Sequence, residues 1–135
     1  MPIYIWKIIQ MDKMIKAPLE KESNELKYQI GIIVPSTNFD KKISNVQFQN
    51  RIKGTKKFFS QLFGGTSSIK EIGSYLSDNK VLINEQGVLV ESSMTLEQYK
   101  KNKTKIEKYI KQKRKDWNQE RIGFWFEDSF YVYPK

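Results

Sequence analysis

The chain is 135 residues long, 39% hydrophobic and 13% aromatic, and carries a formal net charge of +9. That is enough for one domain with a real core, and too apolar for intrinsic disorder. Cysteine and histidine are both missing, which excludes disulfides, Ser-His-Asp and Cys-His nucleophiles, and zinc sites built on imidazole or thiolate, so any chemistry must rest on Asp, Glu, Lys, Tyr or Arg.

At the start, Ile3 and Ile5 alternate with Tyr4 and Trp6, predicting a strand over Met1 to Ile8. Lys7 makes this stretch too short and too wet for a signal sequence, and no run approaches a membrane span, so a cytoplasmic protein with no membrane partner is expected. Residues 12–27 read as a polar connector containing Pro18. Tyr28 to Val34 is isoleucine-rich and ends at Pro35, which cannot donate a ladder hydrogen bond, predicting a strand.

Ser44-Asn45-Val46-Gln47 fits the capping box, in which the first hydroxyl and the fourth side chain satisfy each other's orphan backbone amides. The helix it opens carries Phe48, Ile52, Phe59 and Leu62 as an apolar stripe, tolerates Gly54 at some cost, and stops at Gly64-Gly65. A strand is expected over Ile69 to Leu76 and a turn at Ser77 to Lys80. A further strand, Val81 to Ser93, has Val88-Leu89-Val90 as its core and Gly87 as a bulge or break.

Thr95-Leu96-Glu97-Gln98 is a second capping box. Its helix runs to about Asn118, with Leu96, Tyr99, Ile106, Ile110 and Trp117 on one side. Arg121 to Phe126 and Phe130 to Tyr133 flank Glu127-Asp128-Ser129, predicting a terminal hairpin.

From Tyr28 onward the order is β-α-β-β-α-β, that of the α+β ferredoxin-like split βαβ fold: an antiparallel sheet with two helices on one face, extended here by an N-terminal strand and a C-terminal hairpin. One domain over 1–135 is expected, with 1–27 as strand and connector and 28–135 as the ferredoxin-like core.

Leu62-Phe63-Gly64-Gly65-Thr66, Ile72-Gly73-Ser74-Tyr75, Val88-Leu89-Val90-Glu91-Ser92 and Trp117-Asn118-Gln119-Glu120 together resemble a family of small uncharacterised proteins from phages, other mobile elements and archaea. In that family a helix ends in Phe-Gly-Gly-Thr, a Val-Glu-Ser strand precedes a lysine-rich helix, and Trp-x-Gln-Glu leads to the last strands. The resemblance spans about Tyr28 to Tyr133 and implies the fold and a mobile-element origin, but no activity.

Charge is concentrated in the second helix. Nine basic residues lie between Lys100 and Lys115 against one acid, Glu107, so this segment holds +8 of the total. At about 100° per residue, Lys101, Lys105, Lys108 and Lys115 fall opposite the apolar stripe, with Lys100 and Lys111 beside them. Such a face attracts phosphates and releases their counterions. The plainer reading is a solvated face in a chain with 21 lysines to three arginines. Lysine, a point charge, would make any nucleic-acid contact sequence-neutral.

The C-terminal aromatics offer a second candidate surface, with Trp125, Tyr131 and Tyr133 as stacking residues for bases, against the reading that about half of the cluster simply covers the core. Gly64-Gly65-Thr66-Ser67-Ser68 is a helix C-cap and turn and lacks phosphate-loop spacing. Glu127-Asp128, with Asp78 or Glu91, could hold a hard cation but reads first as a turn. Neither cofactor nor metal is expected. The function expected is a non-enzymatic accessory domain of a mobile element, contacting nucleic acid through the lysine helix. The alternative is a protein-binding module or inhibitor acting through the sheet face or an edge strand, as a homodimer or on another protein.

Overall fold

A computed structural model describes residues 15–39, 41–76 and 79–135. The strand expected over Met1 to Ile8 therefore lies outside the described residues. Strand β1 (Tyr28–Pro35) is followed by a small ribbon, β2 (Thr37–Asn38) and β3 (Lys41–Lys42). Helix α1 (Asn45–Phe63), β4 (Ser67–Leu76), β5 (Leu82–Met94), α2 (Leu96–Asp116), β6 (Ile122–Phe126) and β7 (Ser129–Tyr133) complete the order. A single 3-10 turn, Glu20–Glu22, interrupts the exposed connector.

The five long strands form one antiparallel sheet in the order β4-β5-β1-β6-β7. Strands β4, β5, β1 and β6 have the ferredoxin-like arrangement, and β7 extends the sheet at one edge by hairpin pairing, Phe126 opposite Ser129. Period-two pleating sends Ile30, Ile32 and Val34, Val88, Val90 and Met94, and Ile122 to one face. There they bury against Ile52, Phe59 and Phe63 of α1 and Ile106, Ile110 and Trp117 around α2.

Both capping boxes form. Ser44 Oγ accepts from the Gln47 amide at 3.2 Å and Gln47 Oε1 from the Ser44 amide at 3.3 Å; Thr95 and Gln98 do the same at 3.1 and 2.9 Å. Replacing either cap hydroxyl, Ser44→Ala or Thr95→Ala, is expected to cost about 1 kcal/mol, because one orphan amide then loses its acceptor. Urea midpoints shifted by that amount in both variants check it; two unshifted midpoints would contradict the caps. Helix α1 ends with Gly64 at φ 94, a left-handed cap that glycine adopts without Cβ strain.

Several expectations need correction. Gly87 is neither bulge nor break: β5 pairs continuously, with Gly87 opposite both Pro35 and Glu71. Helix α2 stops at Asp116, because Trp117 caps it and Asn118 turns left-handed at φ 51. Leu96 is 41% exposed, so the α2 stripe begins lower on the helix, where Asn102 is buried with its amide donating to the Gln98 carbonyl at 2.9 Å. In α1, Phe48 and Leu62 only flank the core, while Thr55 and Phe63 are buried. Thr55 Oγ1 lies 2.9 Å from the Tyr109 hydroxyl, tying the two helices, and burial pushes that phenol's pKa up.

Beyond the Pro35–Gly87 pair, β4 and β5 continue as a two-stranded arm that leaves Ile72, Leu76 and Leu82 exposed. Among the described residues no helix is long and apolar enough to cross a membrane.

Candidate functional site on the open sheet face

The face of the sheet away from the helices receives the alternate residues of every strand. From β1 come Gln29, Gly31 and Ile33; from β4, Ile69, Glu71 and Gly73; from β5, Glu85, Gly87, Leu89 and Glu91. Strands β6 and β7 add Gly123, Trp125, Phe130 and Val132. A hollow of about 420 Å³ lies over this face, between the β4–β5 arm and the β6–β7 hairpin. Ile33, Gly73, Gly87 and Gly123 line it together with Glu71 and Glu85, Trp125 and Phe130, and Gln119 and Arg121.

The hollow exists because side chains are missing where neighbours come close. A Cβ on Gly87 would stand 3.1 Å from the Val34 carbonyl oxygen and 3.2 Å from Ile33 Cγ2. At Gly123 it would meet the tip of the Phe130 ring, Cζ at 2.6 Å and Cε1 at 3.1 Å, so that ring reaches over bare backbone. Phe130 and Trp125, 5.0 Å apart between centroids and inclined at 49°, make an aromatic wall, with Trp125 37% exposed. Trp125 also lines a smaller hollow of about 140 Å³, whose acids are Glu91 and Glu127.

The rim is held by a hydrogen-bonded junction at the end of β1. Arg51 of α1 donates to the carbonyls of Pro35 at 2.9 Å, Thr37 at 2.7 Å and Trp117 at 3.3 Å. Its guanidinium also lies 5.8 Å from the Trp117 ring centroid. Gln119 Nε2 donates to the same Thr37 and Trp117 carbonyls at 2.7 and 2.9 Å. Thr37 Oγ1 in turn donates to Glu85 Oε1 at 2.5 Å, placing one carboxylate of the hollow. Burial lowers the Arg51 pKa, and the nearby Glu85 carboxylate partly restores it.

Charge is segregated between the two sides of the molecule. The charged side chains that the strands send to the open face are all acidic: Glu71, Glu85 and Glu91. The basic excess lies on α2, where Lys100, Lys101, Lys105, Lys108, Lys111 and Lys115 are all exposed, as the helical spacing predicts. Among the described residues the ion pair on α2 is Lys113–Asp116 at 3.3 Å, so these six lysines have no carboxylate partner. Asp116 is held below the usual carboxylate range by the Gln112 hydrogen bond first and by Lys113 second.

The three aromatic residues expected to stack bases do not share a surface. Trp125 faces the open side, whereas Tyr131 and Tyr133 pair with Phe124 and Ile122 and face the helix side. Tyr131 stacks on Phe124 at 5.4 Å, and Tyr133 packs against the core. The pleat separates them, and the carboxylates beside Trp125 repel a polyanion.

Glu71, Glu85 and Arg121 were not singled out by the sequence reading. Glu71 and Glu85 alternate with Gly73 and Gly87 on one face of β4 and β5, which becomes visible only once the strands are paired. Among the described residues, no group of three or more His, Cys, Asp or Glu side chains is placed to hold a metal ion.

No family model matches this chain, and no curated protein matches it. Two solved structures share its fold. One is a phage SAM lyase in complex with S-methyl-5′-thioadenosine, 16% identical, with a TM-score of 0.54, covering 78% of this chain and 87% of the other. The second is a phage SAM lyase in the apo state, 17% identical, with a TM-score of 0.53, covering 78% and 86%. At this identity the likeness shows the fold: the chain has the α+β architecture found in those phage proteins.

Proposed function

We propose that this protein binds a nucleoside-type small molecule in the hollow on the open sheet face. The carrying observation is the hollow itself, whose volume suits a ligand of that size and which joins a bare-backbone floor to an aromatic wall and a few polar groups. A flat base would lie over the open backbone at Gly73, against Trp125 and Phe130, with Gln119 and Arg121 available to its polar edge. The S-methyl-5′-thioadenosine carried by a protein of the same fold supports this ligand class. So does the phage setting suggested by the resemblance of the sequence.

Calorimetry with S-methyl-5′-thioadenosine and with SAM tests the reading. Binding in the micromolar to low millimolar range is expected for at least one of them. Trp125→Ala should weaken it by about 10-fold to 100-fold, the worth of one base–aromatic stack. No heat and no thermal shift at several millimolar of either compound would defeat the proposal.

A second reading concerns α2 and rests on its six exposed, unpartnered lysines. This face suits sequence-neutral contact with a nucleic-acid backbone, the accessory role in which phosphate neutralisation supplies the affinity. Replacing Lys101, Lys105, Lys108 and Lys115 with glutamine should remove most binding to duplex DNA while leaving stability unchanged or slightly higher, because like-charge repulsion along the helix is relieved. The log-log salt slope, about −0.9 per neutralised phosphate, should become shallower by a few units. If the unmodified protein fails to bind DNA near 50 mM salt, where such contacts are strongest, this reading is lost. The exposed apolar arm of β4 and β5, as a protein-binding surface, then takes its place.

A further inference from the structure

We infer that the outer edge of β7 is a pairing surface for a second copy of this chain, which adds its own β7 antiparallel to the first and joins the two sheets into one. Among the described residues the sheet has two outer strands, β4 and β7. An uncovered edge offers free amides and carbonyls to any other strand, and soluble domains blunt it with charges, proline or a bulge. Strand β4 is blunted by Lys70 and Glu71. Strand β7 is not. It reads Ser-Phe-Tyr-Val-Tyr, pairs with β6 without a bulge and holds no charge, although 29% of the chain is charged. Phe130, Tyr131 and Val132 are each nearly half exposed.

The direction of the free groups follows from the bonding of β6. The Glu127 amide donates to the Gln29 carbonyl on the β1 side, so Trp125 also turns its backbone groups to β1, while Ile122, Phe124 and Phe126 turn theirs to β7. Across the hairpin register, Ser129, Tyr131 and Tyr133 are therefore the β7 residues bonded to β6. Phe130 and Val132 are left with amide and carbonyl pointing out of the sheet. Two identical antiparallel strands match such groups only around a two-fold axis at Phe130, Tyr131 or Val132. An axis at Val132 sets Phe130 opposite Pro134, which has no amide to give. One at Phe130 sets Val132 opposite Asp128, in the turn. The axis at Tyr131 pairs Phe130 with the partner's Val132 and Val132 with the partner's Phe130, closing two reciprocal pairs of hydrogen bonds. On the open face this places an aromatic ring beside a β-branched side chain, twice over, and on the helix side Tyr131 meets its own copy. Antiparallel pairing also sets the acidic turn Glu127-Asp128 at one end of each strand beside Lys135 at the other end of its copy. The partner's Val132 then backs Phe130, the ring that walls the hollow.

Sedimentation velocity on the full chain tests this. A dimer that builds up between about 10 µM and about 1 mM is expected, because two five-residue edges make a small interface. Both copies carry +9, so raising sodium chloride from about 50 mM to about 500 mM should strengthen the association by screening their repulsion. Val132→Pro removes an amide that only the partner uses, and should weaken the dimer at least about 10-fold while the variant melts within a few degrees of the unmodified protein. Ile72→Lys, on the exposed β4–β5 arm, should leave the dimer unchanged. Circular dichroism shows whether each variant is folded. Should Val132→Pro not fold, Val132→Lys, a charge at an exposed position of the same edge, carries the same expected loss. A chain that stays monomeric to about 1 mM at both salt concentrations overturns the inference. Slow amide exchange at Phe130 and Val132 in that monomer would assign the edge to residues 1–14 of the same chain instead. A dimer broken by Ile72→Lys and indifferent to Val132→Pro overturns it in favour of the arm.

Discussion

Replacing Phe59 with alanine is expected to destabilise the protein by about 4 kcal/mol, the upper range for losing a core aromatic ring. Phe59 lies at the middle of the interface between α1 and the sheet and is 0% exposed, its ring 5.7 Å from that of Phe58 and 6.2 Å from that of Phe63. Removing it forfeits the transfer free energy of a whole ring and leaves a cavity whose walls are strands and helices that cannot collapse inward. Against the 5–15 kcal/mol by which ordinary domains are stable, a loss of about 4 kcal/mol brings a small protein close to unfolding at 37 °C. Phe59→Leu, which refills much of the space, should cost far less, about 1–1.5 kcal/mol. Urea unfolding of both variants checks the pair. A loss below about 1 kcal/mol for alanine would mean that α1 does not pack with this face on the sheet.

The second large effect belongs to Arg51. Its guanidinium serves carbonyls at the end of β1, in the ribbon that follows and at the end of α2, three segments with no regular secondary-structure link to one another. Arg51→Ala is expected to cost about 2–3 kcal/mol, in the range for losing charge-assisted hydrogen bonds. It should not cost more, because Gln119 still donates to the Thr37 and Trp117 carbonyls, so the undiluted loss falls on Pro35. Lysine should recover less than half: one ammonium on a flexible stem cannot hold the forked geometry, and it stacks less well on Trp117. The same junction places Thr37 against Glu85 and holds Gln119 at the rim of the hollow. Arg51→Ala should therefore also weaken ligand binding, although Arg51 does not line the hollow. A substitution that shifts the urea midpoint by less than 0.5 kcal/mol would show that the junction is not a structural lock.

What the sequence determined on its own was whatever depends on neighbours along the chain. Ser44 with Gln47 and Thr95 with Gln98 announce helix starts because each cap satisfies donors only three residues away. Gly64 stops α1 through its own φ, and the lysine face of α2 follows from the helical repeat alone. Element order then led to the ferredoxin-like arrangement, because few topologies accommodate β-α-β-β-α-β.

Pairing between distant strands decided the rest. Gly87 looked like an interruption from within β5, yet it is paired on both sides, and its lack of a side chain matters to Ile33 and Val34, more than fifty residues earlier in the chain. Trp125, Tyr131 and Tyr133 are neighbours in sequence, but the register of the β6–β7 hairpin and the pleat place the tryptophan opposite the tyrosines. Leu96, expected on the buried stripe of α2, is exposed, and packing on that side starts at Tyr99, which stacks on Phe126, a matter of where the helix is docked and not of its periodicity. Glu71 gains its unpartnered, shielded oxygen, and with Glu85 an acidic hollow in a basic protein, only when β4 lies beside β5 and the hairpin closes the far side. Hydrogen bonds within a few residues are written locally; the side on which a strand residue falls, and what stands across from it, is fixed by partners that the chain reaches only by folding.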